Sequence, residues 1–305
     1  MKFSIFNFQF SNKRVVLGGQ AVIIVLLIMV IALTIGLSIS SRSIRDIRVE
    51  TRTEESQRAF SAAEAGLEKA LLLGDTIGRT TVSNGVTYEV NVENAGGGAE
   101  FVFPQSIAKD DTQQLWLVSH DTSGSLVCTV DLPCYTKDKI FIYWGNDTSG
   151  APSSSSPALE VGIIYKEGGI YKIKRYAYDP YGVRRSSNKF LDPSLAGSPF
   201  TVGGSKLEFG VEQTLPKNIL EGGTVEEVTA LRLRLLYNTN QQLVAAKGDG
   251  QDIPVQGKTY DAKGHAEVAG GSESEVRRIS FFKSFPSLPG IFDFVLYSGS
   301  DLNKP

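Results

Sequence analysis

Cys128 and Cys134, close together in "VCTVDLPCY", are the residues of this chain best suited to covalent chemistry. Their spacing suits a short loop closure, and in an oxidising compartment a disulfide is the natural outcome. Such a bond would add about 2–2.5 kcal/mol by restricting the unfolded chain. Two free buried thiols are the alternative. A zinc site needs two more ligands, and the only histidines, His120 and His265, are far apart, so no metal is expected. His120, in "SHDTSG", reads as a turn residue because no motif sets a nucleophile beside it. "GDGQD" offers Asp249 and Asp252 to a cation such as calcium but lacks the remaining ligands of an EF-hand loop. "AGGGAE", from Ala95 to Glu100, lacks the Lys and Ser of a phosphate cradle and reads as a loop. G-x-x-x-x-G-K-[ST], G-x-S-x-G and H-E-x-x-H are all missing. These residues predict no catalytic group, no cofactor and no enzyme activity.

The longest pattern is apolar. No charged residue occurs from Val15 to Ser41, and Ala21–Ile39 is nearly all Ile, Leu, Val, Ala and Met. A helix of that length crosses the roughly 30 Å of bilayer hydrocarbon. Its large aliphatic residues each favour insertion by about 0.3–0.6 kcal/mol at central depth. A signal peptide has a shorter apolar core followed by a small-residue cleavage site, which does not occur here. Lys2, Lys13 and Arg14 precede the run and favour a cytoplasmic N-terminus, although Arg42, Arg45 and Arg48 beyond it weaken the bias. The remainder is then exported. Its electrostatics are bland: 305 residues carry a formal net charge of -2, which gives no case for nucleic acid. "YKIKRYAYDPYGVRR" mixes basic and aromatic residues, but an ordinary strand with one solvated face does the same.

Helix-forming residues continue past the membrane segment, without Pro and with Gly only at Gly66, as far as the stop signal Gly74–Asp75. Phe60, Ala63, Leu67, Ala70 and Leu71 recur at three- and four-residue steps and define an apolar packing face. Glu54 and Arg58 make a favourable i,i+4 pair. An unbroken helix from Gln20 to Leu73 would be about 80 Å long, so much of it must project beyond the bilayer. After Gly74 the period changes to two. Strands are expected at Val86–Glu93, Leu115–Ser119, Lys139–Gly145, Leu159–Tyr165, Ile170–Tyr178, Lys206–Glu212, Ala230–Asn238, Val276–Ser284 and Phe292–Ser300. Glu167–Gly169 reads as a hairpin turn and Ser149–Pro157 as a flexible loop. The fold class is therefore α+β: a long N-terminal α-helix followed by an antiparallel β-sandwich-like domain.

A short basic leader, then Gly18–Gly19–Gln20, then an apolar helix running into "QRAFSAAEAGLEKAL" resembles a type IV pilin-like protein. The similarity is to the PilX-type N-terminal region of minor pilins and pseudopilins, and "AFSAAEAGLE" carries its most specific part. It covers about Lys13 to Leu72, roughly a fifth of the chain. The resemblance implies that a prepilin peptidase cuts between Gly19 and Gln20. Residues 1–19 would be a leader, 20–74 a transmembrane and assembly helix, and 75–305 an exported β-rich domain. Gly18 and Gly19 suit such a cut, since a protease needs extended backbone and Gly resists helix formation. The implied partners are the peptidase, the membrane and the helices of other pilin-like subunits. Pilin-like proteins usually carry a glutamate at the fifth mature position, thought to pair with a neighbour's N-terminal ammonium; here it is Ile24. An apolar residue there is similar to PilX-type and K-type tip pseudopilins. A rival reading from a different class is a single-pass anchored β-sandwich that binds a surface ligand, such as a glycan, and never polymerises.

Overall fold

The computed structural model describes residues 20–146, 151–193, 195, 198–216, 225–267 and 274–290. Gly18, Gly19 and the expected strand Phe292–Ser300 lie outside the described residues. Helix α1 spans Gln20–Leu73, 54 residues. It ends where Gly74 turns left-handed (φ 76°), donates its N–H to the Ala70 carbonyl at 2.7 Å, and offers its own carbonyl to Lys258 Nζ at 2.7 Å. Glycine adopts that conformation without a Cβ penalty, so the stop is local chemistry.

Among the described residues fifteen strands and a short helix follow: β1 Ile77–Ser83, β2 Val86–Gly96, β3 Glu100–Val102, β4 Thr112–Trp116, β5 Ser119–His120, β6 Leu126–Val127, β7 Lys139–Asn146, β8 Ala158–Glu167, β9 Ile170–Tyr178, α2 Gly182–Asn188, β10 Phe200–Val202, β11 Ser205–Thr214, β12 Val225–Leu236, β13 Val244–Gly248, β14 Val255–Glu267 and β15 Ser274–Ser284. Three larger sheets result, in the orders β1-β2-β14-β15, β10-β11-β7-β13-β3 and β4-β12-β8-β9, with β5-β6 as a small pair. Every ladder among the described residues is antiparallel. The chain is α+β, as its pattern predicts.

Two packing units divide the work. The five-stranded sheet and the β4-β12-β8-β9 sheet face each other as a sandwich. Ile142, Trp144 and Val211 from one interdigitate with Val161, Ile163 and Leu233 from the other. The β1-β2-β14-β15 sheet instead receives the second half of α1. The helix contributes Ala59, Ala62, Ala63 and Ala70; the sheet contributes Tyr88, Val90, Tyr260 and Ala262. Contact is close enough that a Cβ on Gly66 would sit 2.6 Å from the Tyr88 ring. A Cβ on Gly264 would run into the Ala59 carbonyl oxygen and lie 2.7 Å from the Ala63 nitrogen.

That closeness corrects the expected packing face at one residue. Ala63, Leu67, Ala70 and Leu71 pack against the sheet as expected, Leu67 and Leu71 half-buried, but Phe60 is 45 % exposed. Small residues let helix and sheet backbones approach, whereas Phe60 would hold them apart. Arg58 pairs with Glu55 at 3.1 Å instead of with Glu54, because Glu55 is on the buried side.

Most expected strands are present. Leu115–Ser119 is a correction: β4 stops at Trp116 and the chain re-enters pairing as β5. Ala230–Asn238 runs two residues too far, since β12 ends at Leu236 and Tyr237 turns left-handed (φ 69°). Gly168 and Gly169, at φ 58° and 76°, join β8 to β9 as the expected two-residue hairpin.

Candidate functional site

The residues singled out from sequence fall at separate places. Ile24 lies in the first half of α1, 55 % exposed. Every large aliphatic side chain from Val22 to Ile39 is exposed, and none of the apolar stretch is buried by the other described residues. This helix is long and apolar enough to cross a membrane. Removing such side chains from water is worth about 1.5–3 kcal/mol each, so the first half of α1 is the strongest interaction surface among the described residues.

Cys128 and Cys134 are bonded to each other, with Cα atoms 5.2 Å apart. The closed loop is held from the β13–β14 side: Gln251 Nε2 donates to the Cys134 carbonyl, and Gln251 Oε1 accepts from the Thr136 N–H and hydroxyl, all at 2.9 Å. The Asp249 N–H donates to Tyr135 Oη at 2.8 Å. "GDGQD" is thus a clasp over the disulfide loop. No group of three His, Cys, Asp or Glu able to hold a metal occurs among the described residues.

His120 is more than the turn residue expected. It sits in β5, buried, its ring stacked on Phe285 at 3.9 Å and set edge-on to Trp116 at 4.6 Å. Burial pushes its pKa down, against the opposing pull of Asp121. Its neighbour Ser119 donates its hydroxyl to the Pro133 carbonyl at 2.7 Å, so that hydroxyl is engaged in structure.

Sequence reasoning also missed a buried ion pair. Asp179 is fully buried and accepts from Arg184 Nε at 2.6 Å, Arg184 Nη2 at 2.7 Å, Asn188 Nδ2 at 2.8 Å and the Tyr181 N–H at 2.9 Å. Burial works to raise its pKa, but these donors prevail and hold it below the usual carboxylate value. Arg184 also reaches the Ser154 and Ser156 carbonyls, both at 2.8 Å, and lies 4.0 Å from the centre of the Tyr237 ring. The cluster ties α2 to the 151–157 segment and to the turn after β12. "DPYGVRR" carried the signal, an Asp at turn spacing before two Arg, although Tyr171–Arg185 reads as one basic strand.

No protein-family model matches the chain, and no curated protein is significantly similar to it. Among solved structures it has a likeness to AvmM, which catalyses macrocyclization in alchivemycin A biosynthesis, at 12% identity and a TM-score of 0.17, covering 64% of this chain and 92% of that one. It has another to a structure of manganese lipoxygenase of Gaeumannomyces graminis and part of zonadhesin of Komagataella pastoris, at 14% identity and a TM-score of 0.14, covering 65% of this chain and 61% of that one. At such scores neither likeness bears on fold or function.

Proposed function

We propose that the chain is a minor type IV pilin-like structural subunit that joins or primes a surface filament and displays its β domain outside the cell. The observation that carries this reading is the division of α1. Its first half is apolar and uncovered, while its second half is clamped to a sheet through Ala59, Ala63 and Gly66. A helix built this way is rigidly attached to a folded domain and still offers its whole apolar length to lipid or to other helices. The role is structural, with a prepilin peptidase and other pilin-like subunits as partners.

Ile24 bears on position in the filament. A subunit without a carboxylate there does not neutralise a neighbour's N-terminal ammonium, and an unpaired buried charge costs several kcal/mol. Repetition along a shaft is disfavoured, whereas one copy at an end has no such penalty. The expected outcome is low abundance and labelling at one filament end; near-stoichiometric labelling along the shaft contradicts it. Maturation is tested by Gly19→Val, which places a β-branched residue where extended backbone must enter the peptidase. That variant should run about nineteen residues longer, stay in the membrane and be missing from sheared filaments. Normal processing would remove the peptidase from the account.

A further inference from the structure

Just past its apolar stretch, α1 arranges its charges in an order that packing on the β domain does not explain. Ala21–Ile39 rises about 28 Å, enough to fill the hydrocarbon of a bilayer. Ser40 and Ser41 follow, and then Arg42, Arg45, Arg48 and Arg52. All four arginines are exposed, and none makes an ion pair with a carboxylate among the described residues. Arg45, Arg48 and Arg52, at three- and four-residue steps, share one face. Ser56 continues that row, and its hydroxyl accepts from Arg277 Nε at 2.7 Å. Asp46, Glu50 and Glu54 occupy the opposite face. Like charges four residues apart, Arg48 with Arg52 and Asp46 with Glu50, weaken an isolated helix. The arginine row is therefore balanced only by an anion outside it.

Depth identifies that anion. The polar layer of a bilayer adds about 5–7 Å beyond each side of the hydrocarbon, and Arg42 starts about 5 Å beyond Ile39. Helical side chains lean toward the N-terminus, which here is toward the bilayer. Arg45 does so: its Nε donates to the Ser41 carbonyl at 3.2 Å and its Nη2 to the Ser41 hydroxyl at 3.4 Å. The guanidinium is thereby drawn back to the hydrocarbon boundary. Arg48, one turn farther on, reaches the same layer by snorkelling. The carboxylates do not follow. Asp46 is short and faces the other way, and Glu50 and Glu54 start about 16 Å or more beyond Ile39. Charge in the headgroup layer is thus positive, and the anion found there is phosphate, whose oxygens match the guanidinium fork. A protein helix has little room on this face. Arg48 and Arg52 stand two turns before Glu55 and Ala59, on the same side, and both of those are buried beneath the β domain. The row is roofed by that domain, and the surface open below it is the bilayer.

We propose that Arg42, Arg45 and Arg48 form a binding site for the phosphates of anionic phospholipids in the leaflet next to the β domain, and so fix the depth of α1. The proposal rests on the membrane segment of the proposed function and is independent of processing and polymerisation.

Native mass spectrometry of the full chain in detergent, titrated with phosphatidylglycerol and with phosphatidylcholine, reads the lipid retained. Phosphatidylglycerol should bind at least about tenfold more tightly. Changing Arg42, Arg45 and Arg48 together to Gln should bring the two lipids to equal affinity, whereas changing all three to Lys should keep most of the preference. Gln is a good helix former and the positions are exposed, so the β domain should unfold at an unchanged temperature. Lys109→Gln, Lys137→Gln and Lys206→Gln together remove the same charge from exposed places on the β domain and should leave the preference intact. Equal loss in that lysine variant overturns the proposal, as does displacement of the lipid by millimolar inorganic phosphate. Preference that survives the arginine change overturns it too; if that variant is also missing from filaments, the row belongs to a protein neighbour. Carbonate washing of membranes separates the remaining failures. Release of the native chain overturns the membrane reading together with this proposal, and retention with equal affinity for both lipids overturns this proposal alone.

Discussion

Within the single helix α1, hydrophobicity and burial run in opposite directions. From Val22 to Ile39 the side chains are large, aliphatic and exposed. From Ala59 to Ala70 the buried residues are alanines, with Gly66 among them, and the one aromatic, Phe60, faces solvent. The second half has its partner inside the molecule, and what that partner rewards is close approach, not bulk. The first half has no partner among the described residues, and its apolar surface is open to a neighbour outside them. On the proposed reading such a helix has two neighbours, one permanent and one acquired.

The sharpest way to break that comparison is one substitution made in both regions. Gly264→Val puts a branched side chain into the Ala59 carbonyl and should undock the helix from its sheet, costing roughly 4 kcal/mol or more. Gly36→Val, where nothing lies within 4 Å, should leave the unfolding transition of the β domain unchanged. Denaturant unfolding followed by circular dichroism measures both. Equal effects would mean that the two halves do not differ as described.

Asp179→Ala comes next, since it leaves Arg184 largely buried without its carboxylate and should cost about 3 kcal/mol. The loss should show as protease cleavage near residues 151–157, far from α1. If the helix contacts loosen instead, the sandwich and the helix-bearing sheet are not separate packing units. A smaller effect is expected from the disulfide. Reduction of Cys128–Cys134 should lower stability by about 2 kcal/mol. Alkylation of the native protein should find neither thiol free.

What was legible in the sequence follows the same division. The extent of α1, the Gly74 stop, the β8–β9 hairpin and most sandwich strands have side chains whose size and alternation match their burial. The failures cluster where small residues are used. Strand β14 went unseen because Gly257, Ala262, Gly264 and Ala266 lack the bulk that marks a strand, yet Gly264 and Ala262 are what the helix rests on. Strand β13, "VAAKG", escaped for the same reason, lying between β7 and β3. Strands β1, β3 and β10 are sheet-edge strands. Hydrophobicity alone puts Phe60 inside, whereas the helix turns Ala59 and Ala63 toward Gly264. A cleft beside Trp116 assembles residues from β4, β6, β8, β9, β12 and the segment after β15, a juxtaposition no local pattern contains.

The smallest expected effect is a pH response. Burial between Phe285 and Trp116 lowers the His120 pKa in the folded state, so folding favours the neutral ring. The stability this provides is complete above the ordinary histidine value of about 6.5 and declines as pH falls below it. His120→Phe should keep the stack and remove that part of the pH dependence, read as thermal midpoints between about pH 7 and pH 5.

The account rests most heavily on the acquired neighbour of the first half of α1. Mass spectrometry of the N-terminus of the native protein, recovered from membranes and from sheared surface filaments, tests it most directly. Gln20 as the first residue in the filament fraction is the result the proposed function predicts, with residues 1–19 lost before assembly. Met1 retained throughout, with the protein confined to membranes, would contradict the filament reading and leave a permanently anchored β domain.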